Sequence, residues 1–171
     1  MSELGKKYSQ EIEEILAKYP PEHKQSAVMP LLFLAQREDG YIRDEALTEI
    51  GDILEMDRTE VASLVGFYTL YYDEKEGQYR IQVCTDVACA LRGADEFLER
   101  LCEALDIQPG ETTADGLVTV EEVMCLAACD KAPMFQVQTR EEITYHENQT
   151  VESALDLVQS WRDEEEQGED S

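Results

Sequence analysis

The sequence predicts an α+β chain: a helical region, residues 1–76, then a smaller α/β domain, residues 77–162, and an acidic tail, residues 163–171. Three observations carry this. Apolar residues recur at helical spacing as far as Tyr68, the period changes to alternation at Tyr79, and beyond that point strand and helix patterns interleave.

From Ser9 to Tyr19 the residues Ile12, Ile15, Leu16 and Tyr19 share one helical face, and Pro20-Pro21 stops the pattern. A second helix covers Ala27 to Ala35 and closes at Gly40, with Pro30 in its first turn or kinking it. Leu47, Ile50 and Leu54 mark a third. The fourth opens on Asp57 as N-cap with Glu60 three residues on, and aligns Val61, Leu64, Val65 and Tyr68 in one stripe. The aromatic residues Phe67, Tyr68, Tyr71 and Tyr72 at its end read as core or hinge packing.

Tyr79, Ile81 and Val83 then alternate with Arg80 and Gln82, the pattern of a half-buried strand ending at Cys84. Ala94, Phe97, Leu98, Leu101, Cys102 and Leu105 form the stripe of an amphipathic helix that Pro109-Gly110 ends. Strands are expected at Leu117 to Val123, Met134 to Gln138 and Glu142 to Tyr145. A last helix, with Thr150 as N-cap, buries Ala154, Leu155, Val158 and Trp161. Strand, helix, three strands and helix suit helices packed on a small mixed sheet, and a thioredoxin-like arrangement is the nearest fit. The tail from Asp163 holds six acids in nine residues and no apolar anchor, so it reads as solvated and disordered.

Thirty-nine acidic against fourteen basic residues give a net charge of −25 over 171 residues, while 43% apolar residues suffice for a core. Such a surface repels phosphate, which argues against nucleic acid and anionic membrane surfaces as partners. The longest uncharged stretch of the N-terminal third, Gln25 to Gln36, has about half the ~20 residues of a membrane helix. Charges also stand where a secretory signal would be apolar. The expectation is a cytoplasmic protein without direct membrane insertion, whose five cysteines are not disulfides.

Four of those cysteines form pairs, Cys84/Cys89 as C-x4-C and Cys125/Cys129 as C-x3-C, each following an expected strand. If the two strands are parallel neighbours, both pairs meet at one sheet edge, and four converging thiolates make a metal site. Cys102 falls on the apolar stripe of a helix and reads as buried and structural. Zinc and a [2Fe–2S] cluster both accept four thiolates. Tight C-x2-C knuckles wrap a single zinc, whereas a C-x4-C loop leaves slack for a two-iron rhomb, so spacing favours the cluster and leaves zinc as the alternative. Thiol exchange needs C-x-x-C ahead of a helix, which neither pair offers. His23 and His146 lie far in sequence from both pairs, so a Rieske ligand set is not expected. Backbone N–H groups of Thr85 to Ala88 and Leu126 to Ala128, with Asp86, Arg92, Asp130 and Lys131, are the expected tuning elements. The nine glycines are never two apart, so the chain has no G-x-G phosphate loop, and any nicotinamide or flavin belongs to another polypeptide.

The segments C-T-D-V-A-C-A-L-R-G (84–93) and C-L-A-A-C-D-K-A-P (125–133) resemble the two cysteine motifs of the small [2Fe–2S] subunit of the NADH dehydrogenase module of respiratory complex I. T-T-A-D-G-L-V-T-V (112–120), G-F-Y-T-L-Y (66–71) and S-A-V-M-P-L-L (26–32) extend the likeness over most of residues 8 to 162. The resemblance implies an N-terminal helical bundle, a thioredoxin-like domain, and a [2Fe–2S] cluster held by Cys84, Cys89, Cys125 and Cys129. It implies no catalytic residue and no turnover in the isolated chain. The implied partner is a larger flavoprotein that holds FMN, oxidises NADH and exchanges single electrons with the cluster. That makes the chain an electron-transfer subunit of NADH:quinone oxidoreductase, peripheral to the inner membrane face through the parent complex. The diaphorase parts of NAD-linked hydrogenases and formate dehydrogenases share the fold and are an alternative, as is a free-standing thioredoxin-like ferredoxin. Many relatives carry glycine where this chain has Ala127; a positive φ there costs alanine about 1 kcal/mol.

Overall fold

In the computed structural model, which describes residues 3–169, the chain falls into two units, residues 1–75 and 76–171. Among its described residues the first holds helices α1 (Glu3–Lys7), α2 (Ser9–Leu16), a 3-10 segment (Pro21–Ala27), α3 (Val28–Asp39), α4 (Asp44–Leu54) and α5 (Arg58–Phe67). Pro21 opens the 3-10 segment at its first position, where its fixed φ suits a helix start. Pro30 lies in the first turn of α3, where its missing N–H has no intrahelical partner to lose. Gly40, at φ 83°, takes the left-handed conformation that closes α3. At the head of α5 the Thr59 N–H donates to the Asp57 carboxylate at 2.8 Å and the Asp57 N–H to Glu60 at 2.9 Å, a full capping box. Leu31, Leu32, Ile50, Leu54 and Val61 form the centre of this unit's core. The chain leaving α5 is pinned by Gln36, which donates to the Leu70 carbonyl at 2.8 Å and accepts from the Tyr72 N–H at 2.9 Å. Tyr71 and Tyr72 are accordingly buried, whereas Phe67 and Tyr68, expected as packing residues, are exposed.

The second unit holds β1 (Tyr79–Cys84), α6 (Val87–Ala90), α7 (Ala94–Leu105), β2 (Val118–Val123), a 3-10 turn (Cys129–Lys131), β3 (Phe135–Gln138), β4 (Ile143–His146) and α8 (Val151–Glu169). The strands form one mixed sheet in the order β2-β1-β3-β4, with β1 parallel to β2 and antiparallel to β3. Ile81, Val83, Val118, Val120, Phe135 and Val137 turn to one face and meet Phe97 and Leu101 of α7 and Ala154, Val158 and Trp161 of α8. Complete burial of a side chain such as Leu101 contributes about 2–3 kcal/mol. Trp161 stacks on Tyr79 with ring centroids 4.1 Å apart. Cys102 is buried in this core, and burial pushes its thiol up to about 11.

Two further expectations change. Strand β1 is buried on both faces, because it is a central strand and its outward Arg80 and Gln82 are paired with polar neighbours. The acidic segment expected to be a disordered tail continues α8 as far as Glu169; Asp170 and Ser171 lie outside the described residues. Once α8 is nucleated behind its Thr150 cap, each further residue adds a backbone bond at small cost, and Gln159 to Asp163 at 2.8 Å and Gln78 to Glu165 at 3.2 Å brace the extension. Among the described residues no helix is long and apolar enough to cross a membrane.

Candidate metal centre

The parallel pairing of β1 and β2 sets Cys84 opposite Val123. Parallel neighbours deliver their C-terminal ends to the same sheet edge, so the chain leaving β1 toward Cys89 and the chain leaving β2 toward Cys125 emerge side by side. The condition on which convergence of the two pairs depends is therefore met. The strand ends are laced together: the Thr85 N–H donates to the Val123 carbonyl at 3.2 Å and the Thr85 hydroxyl to Glu122 at 2.6 Å. On the other side, the Cys84 N–H donates to the Met134 carbonyl at 3.4 Å.

Cys89 sits on α6, a single turn that periodicity cannot reveal. The signal that could have found it is Asp86, whose carboxylate accepts from the Val87 N–H at 2.8 Å while its carbonyl accepts from the Cys89 N–H at 2.7 Å. The turn folds Cys89 back toward Cys84, and both are 1% exposed, packed with Ala94, Ala132 and Met134. On the second loop Cys125 is exposed, and Cys129 is half-buried at the head of its 3-10 turn, a second element the sequence reading missed. Arg92 donates to the Ala132 carbonyl at 3.1 Å and ties the two cysteine segments together. Of the other expected tuning residues, Asp86 serves as the cap, Lys131 approaches Glu147 at 3.9 Å and Asp130 is exposed.

The four sulfurs lie within mutual influence. Burial pushes the Cys89 thiol up to about 12, and the Cys84 and Cys129 sulfurs act in the same sense. The Cys129 thiol is raised, first by its hydrogen bond with Cys125 and the charge there, then by burial, while Cys89 acts in the opposite sense. Cys102 faces the separate core under α7. His23 belongs to the first unit, and His146 stacks on Phe135 at 5.0 Å. Among the described residues no three His, Cys, Asp or Glu side chains surround one point as the ligands of a single ion would. The thiols come as a buried pair, Cys84 and Cys89, and a more exposed pair, Cys125 and Cys129, and a [2Fe–2S] cluster would take four thiolates of this kind. These residues fit that group.

Ala127 adopts φ 60°, and its N–H donates to the Cys125 sulfur at 3.4 Å, a bond of the kind expected in this loop. The left-handed turn that aims this N–H strains a side chain with a Cβ. Ala127→Gly is expected to stabilise the fold by about 1 kcal/mol. A rise in urea midpoint at unchanged slope would show this, and an unchanged midpoint would show that the turn carries no strain.

Val87, Leu91 and Met124, flanking the cysteines, are 72%, 84% and 80% exposed. Together with the open Cys125 they give the two loops an apolar outer surface.

The thioredoxin-like [2Fe–2S] ferredoxin family matches residues 12–162. NADH-quinone oxidoreductase subunit 2 of Thermus thermophilus is 45% identical over 126 residues, covering 74% of this chain and 70% of the relative. An NADH-quinone oxidoreductase subunit of Rhizobium meliloti is 39% identical over 153 residues, 90% of this chain and 88% of the relative. The corresponding NADH-quinone oxidoreductase subunit of Mycobacterium bovis is 41% identical over 149 residues, 87% of this chain, and there the chain spans 57% of the relative's length. Among solved structures, the air-oxidised NAD+-reducing [NiFe]-hydrogenase is alike with a TM-score of 0.66 and 22% identity, over 78% of this chain and 23% of that one. That likeness is one of fold.

Proposed function

The chain belongs to the thioredoxin-like [2Fe–2S] ferredoxin family, and from that premise we propose that it is the electron-transfer subunit of an NADH dehydrogenase, with Cys84, Cys89, Cys125 and Cys129 as its cluster ligands. The observation that supports the reading is the parallel pairing of β1 and β2, which sends the chain toward Cys89 and the chain toward Cys125 out of the same sheet edge. When bound, the group supplies one-electron oxidation and reduction.

The protein's own part is to hold and shield. The Asp86 cap and the Arg92 tie fix the loops, burial keeps water from Cys84 and Cys89, and the Ala127 N–H offsets negative charge on the Cys125 sulfur. The apolar surface of Val87, Leu91 and Met124 is where a partner can approach the sulfurs closely. That partner is a flavoprotein that binds NADH and FMN and exchanges single electrons with this chain, since no G-x-G loop is present here to bind a dinucleotide. The complex is cytoplasmic and peripheral to the membrane. The relatives at 39–45% identity are NADH-quinone oxidoreductase subunits, which favours that assembly over the diaphorase of a hydrogenase or formate dehydrogenase.

The purified chain is expected to oxidise no NADH alone, and to be reduced by NADH, with bleaching of its visible absorption, once the flavoprotein is added anaerobically. The two should co-elute at moderate salt. Turnover by the chain alone, or reduction without the flavoprotein, contradicts the assignment.

A further inference from the structure

Side chains alternate along a strand, so Arg80 and Gln82 share with Cys84 the sheet face opposite Ile81, Val83 and the helices. The register sets Glu121 of β2 and Gln136 of β3 directly across from Gln82. A hydrogen-bonded row results: Gln136 donates to Gln82 at 2.5 Å, and Gln82 donates to Glu121 at 3.0 Å. Arg80 lies between two carboxylates, donating to Glu76 at 2.5 Å with Glu121 at 3.4 Å. Arg80, Gln82 and Gln136 are 5%, 3% and 7% exposed. Buried charges and amides of this kind persist only while each is paired, and the low local dielectric lets their fields act over longer distances than surface charges do. The row stands two residues of strand, about 7 Å, below Cys84.

We infer that the buried Arg80 and the half-buried Glu121 beside it set the electron affinity of the sulfur site, Glu121 opposing an added electron and Arg80 favouring it. This rests on the reading that the four cysteines hold a [2Fe–2S] cluster. One electron enters from a one-electron reductant such as a reduced flavin, no bond or proton moves, and the site's charge becomes more negative by one. A unit charge about 10 Å away at an effective dielectric of about 20 shifts the reduced-to-oxidised ratio roughly tenfold. Glu121 and Arg80 are held in place by the hydrogen bonds that span β2, β1 and β3, so their effect on the site is built into the sheet rather than left to mobile surface groups.

The test uses the full chain, loaded anaerobically, with iron and acid-labile sulfide counted first and the reduced fraction then read by visible absorption at one ambient potential fixed by a redox dye. Glu121→Gln keeps an acceptor for Gln82 and removes a negative charge, so the reduced-to-oxidised ratio should rise roughly tenfold, and Glu76→Gln should move it the same way. Arg80→Gln should lower the ratio by a similar factor. Opposite signs cannot arise from a sheet that has merely loosened. Should Arg80→Gln fail to load, the two glutamate variants decide alone. A loaded Glu121→Gln chain within about twofold of the parent, or glutamate and arginine variants that shift the same way, overturns the inference. A parent chain that binds no iron and sulfide overturns the cluster reading itself, and this inference with it.

Discussion

Replacing Cys84, Cys89, Cys125 or Cys129 singly by serine is expected to abolish the visible absorption of the cluster, while Cys102→Ser retains it. A serine hydroxyl stays protonated where a thiol ionises, so the iron on that side loses its strong anionic ligand. At Cys84 and Cys89 the loss is compounded by burial, since both are 1% exposed and no water can take the vacated position. Cys102 lies in the core with Phe97, Leu101 and Val158, so it behaves as a small apolar residue. A hydroxyl there costs about 1–3 kcal/mol for an unsatisfied buried polar group, read as a lower urea midpoint in a chain that still absorbs. The checks are absorbance and iron per chain for each variant. Cluster loss at Cys102→Ser as complete as at the other positions would refute its core assignment.

The largest stability effect is expected at Gly77. A Cβ there would stand 2.8 Å from the Leu117 carbonyl oxygen, the Val118 carbonyl carbon and the Thr119 nitrogen, all backbone atoms at the start of β2. The close approach is held by the Gly77 N–H, which donates to the Thr119 hydroxyl at 2.8 Å. Backbone atoms cannot rotate aside as a flexible side chain can, so Gly77→Ala must displace β1 from β2. The cost is expected at the upper end of the overpacking range, about 3 kcal/mol. Gly66 is the control, because it lies in α5 with nothing within 4 Å of its Cβ position. Gly66→Ala should therefore stabilise by about 0.5–1 kcal/mol. Urea unfolding followed by circular dichroism measures both, and Gly77→Ala as stable as the parent would show that the two segments are not in contact.

Much of this architecture was legible where a segment is long enough to complete its period. The stripes of Val61, Leu64 and Val65 and of Phe97, Leu98 and Leu101 became α5 and α7, and the Asp57 and Thr150 caps stand where the sequence placed them. α1, α6 and the turn at Cys129 escaped, since one helical turn shows no repeat. The extension of α8 escaped for another reason: its acidic residues have no apolar face, and their helicity is inherited from the turns before them. At the site, cysteine spacing and the strand patterns exposed both pairs, but parallel pairing of β1 and β2 is a tertiary fact that local pattern cannot supply. Alternation likewise marked Arg80 and Gln82 as facing away from the core without showing that this face is also covered. The positive φ of Ala127 was anticipated only through the glycine that related sequences carry there.

The most direct measurement is the anaerobic determination of iron, zinc and acid-labile sulfide on the purified chain. Two irons and two sulfides per chain, lost together on replacement of Cys84, are the predicted result. One zinc with no sulfide would contradict it.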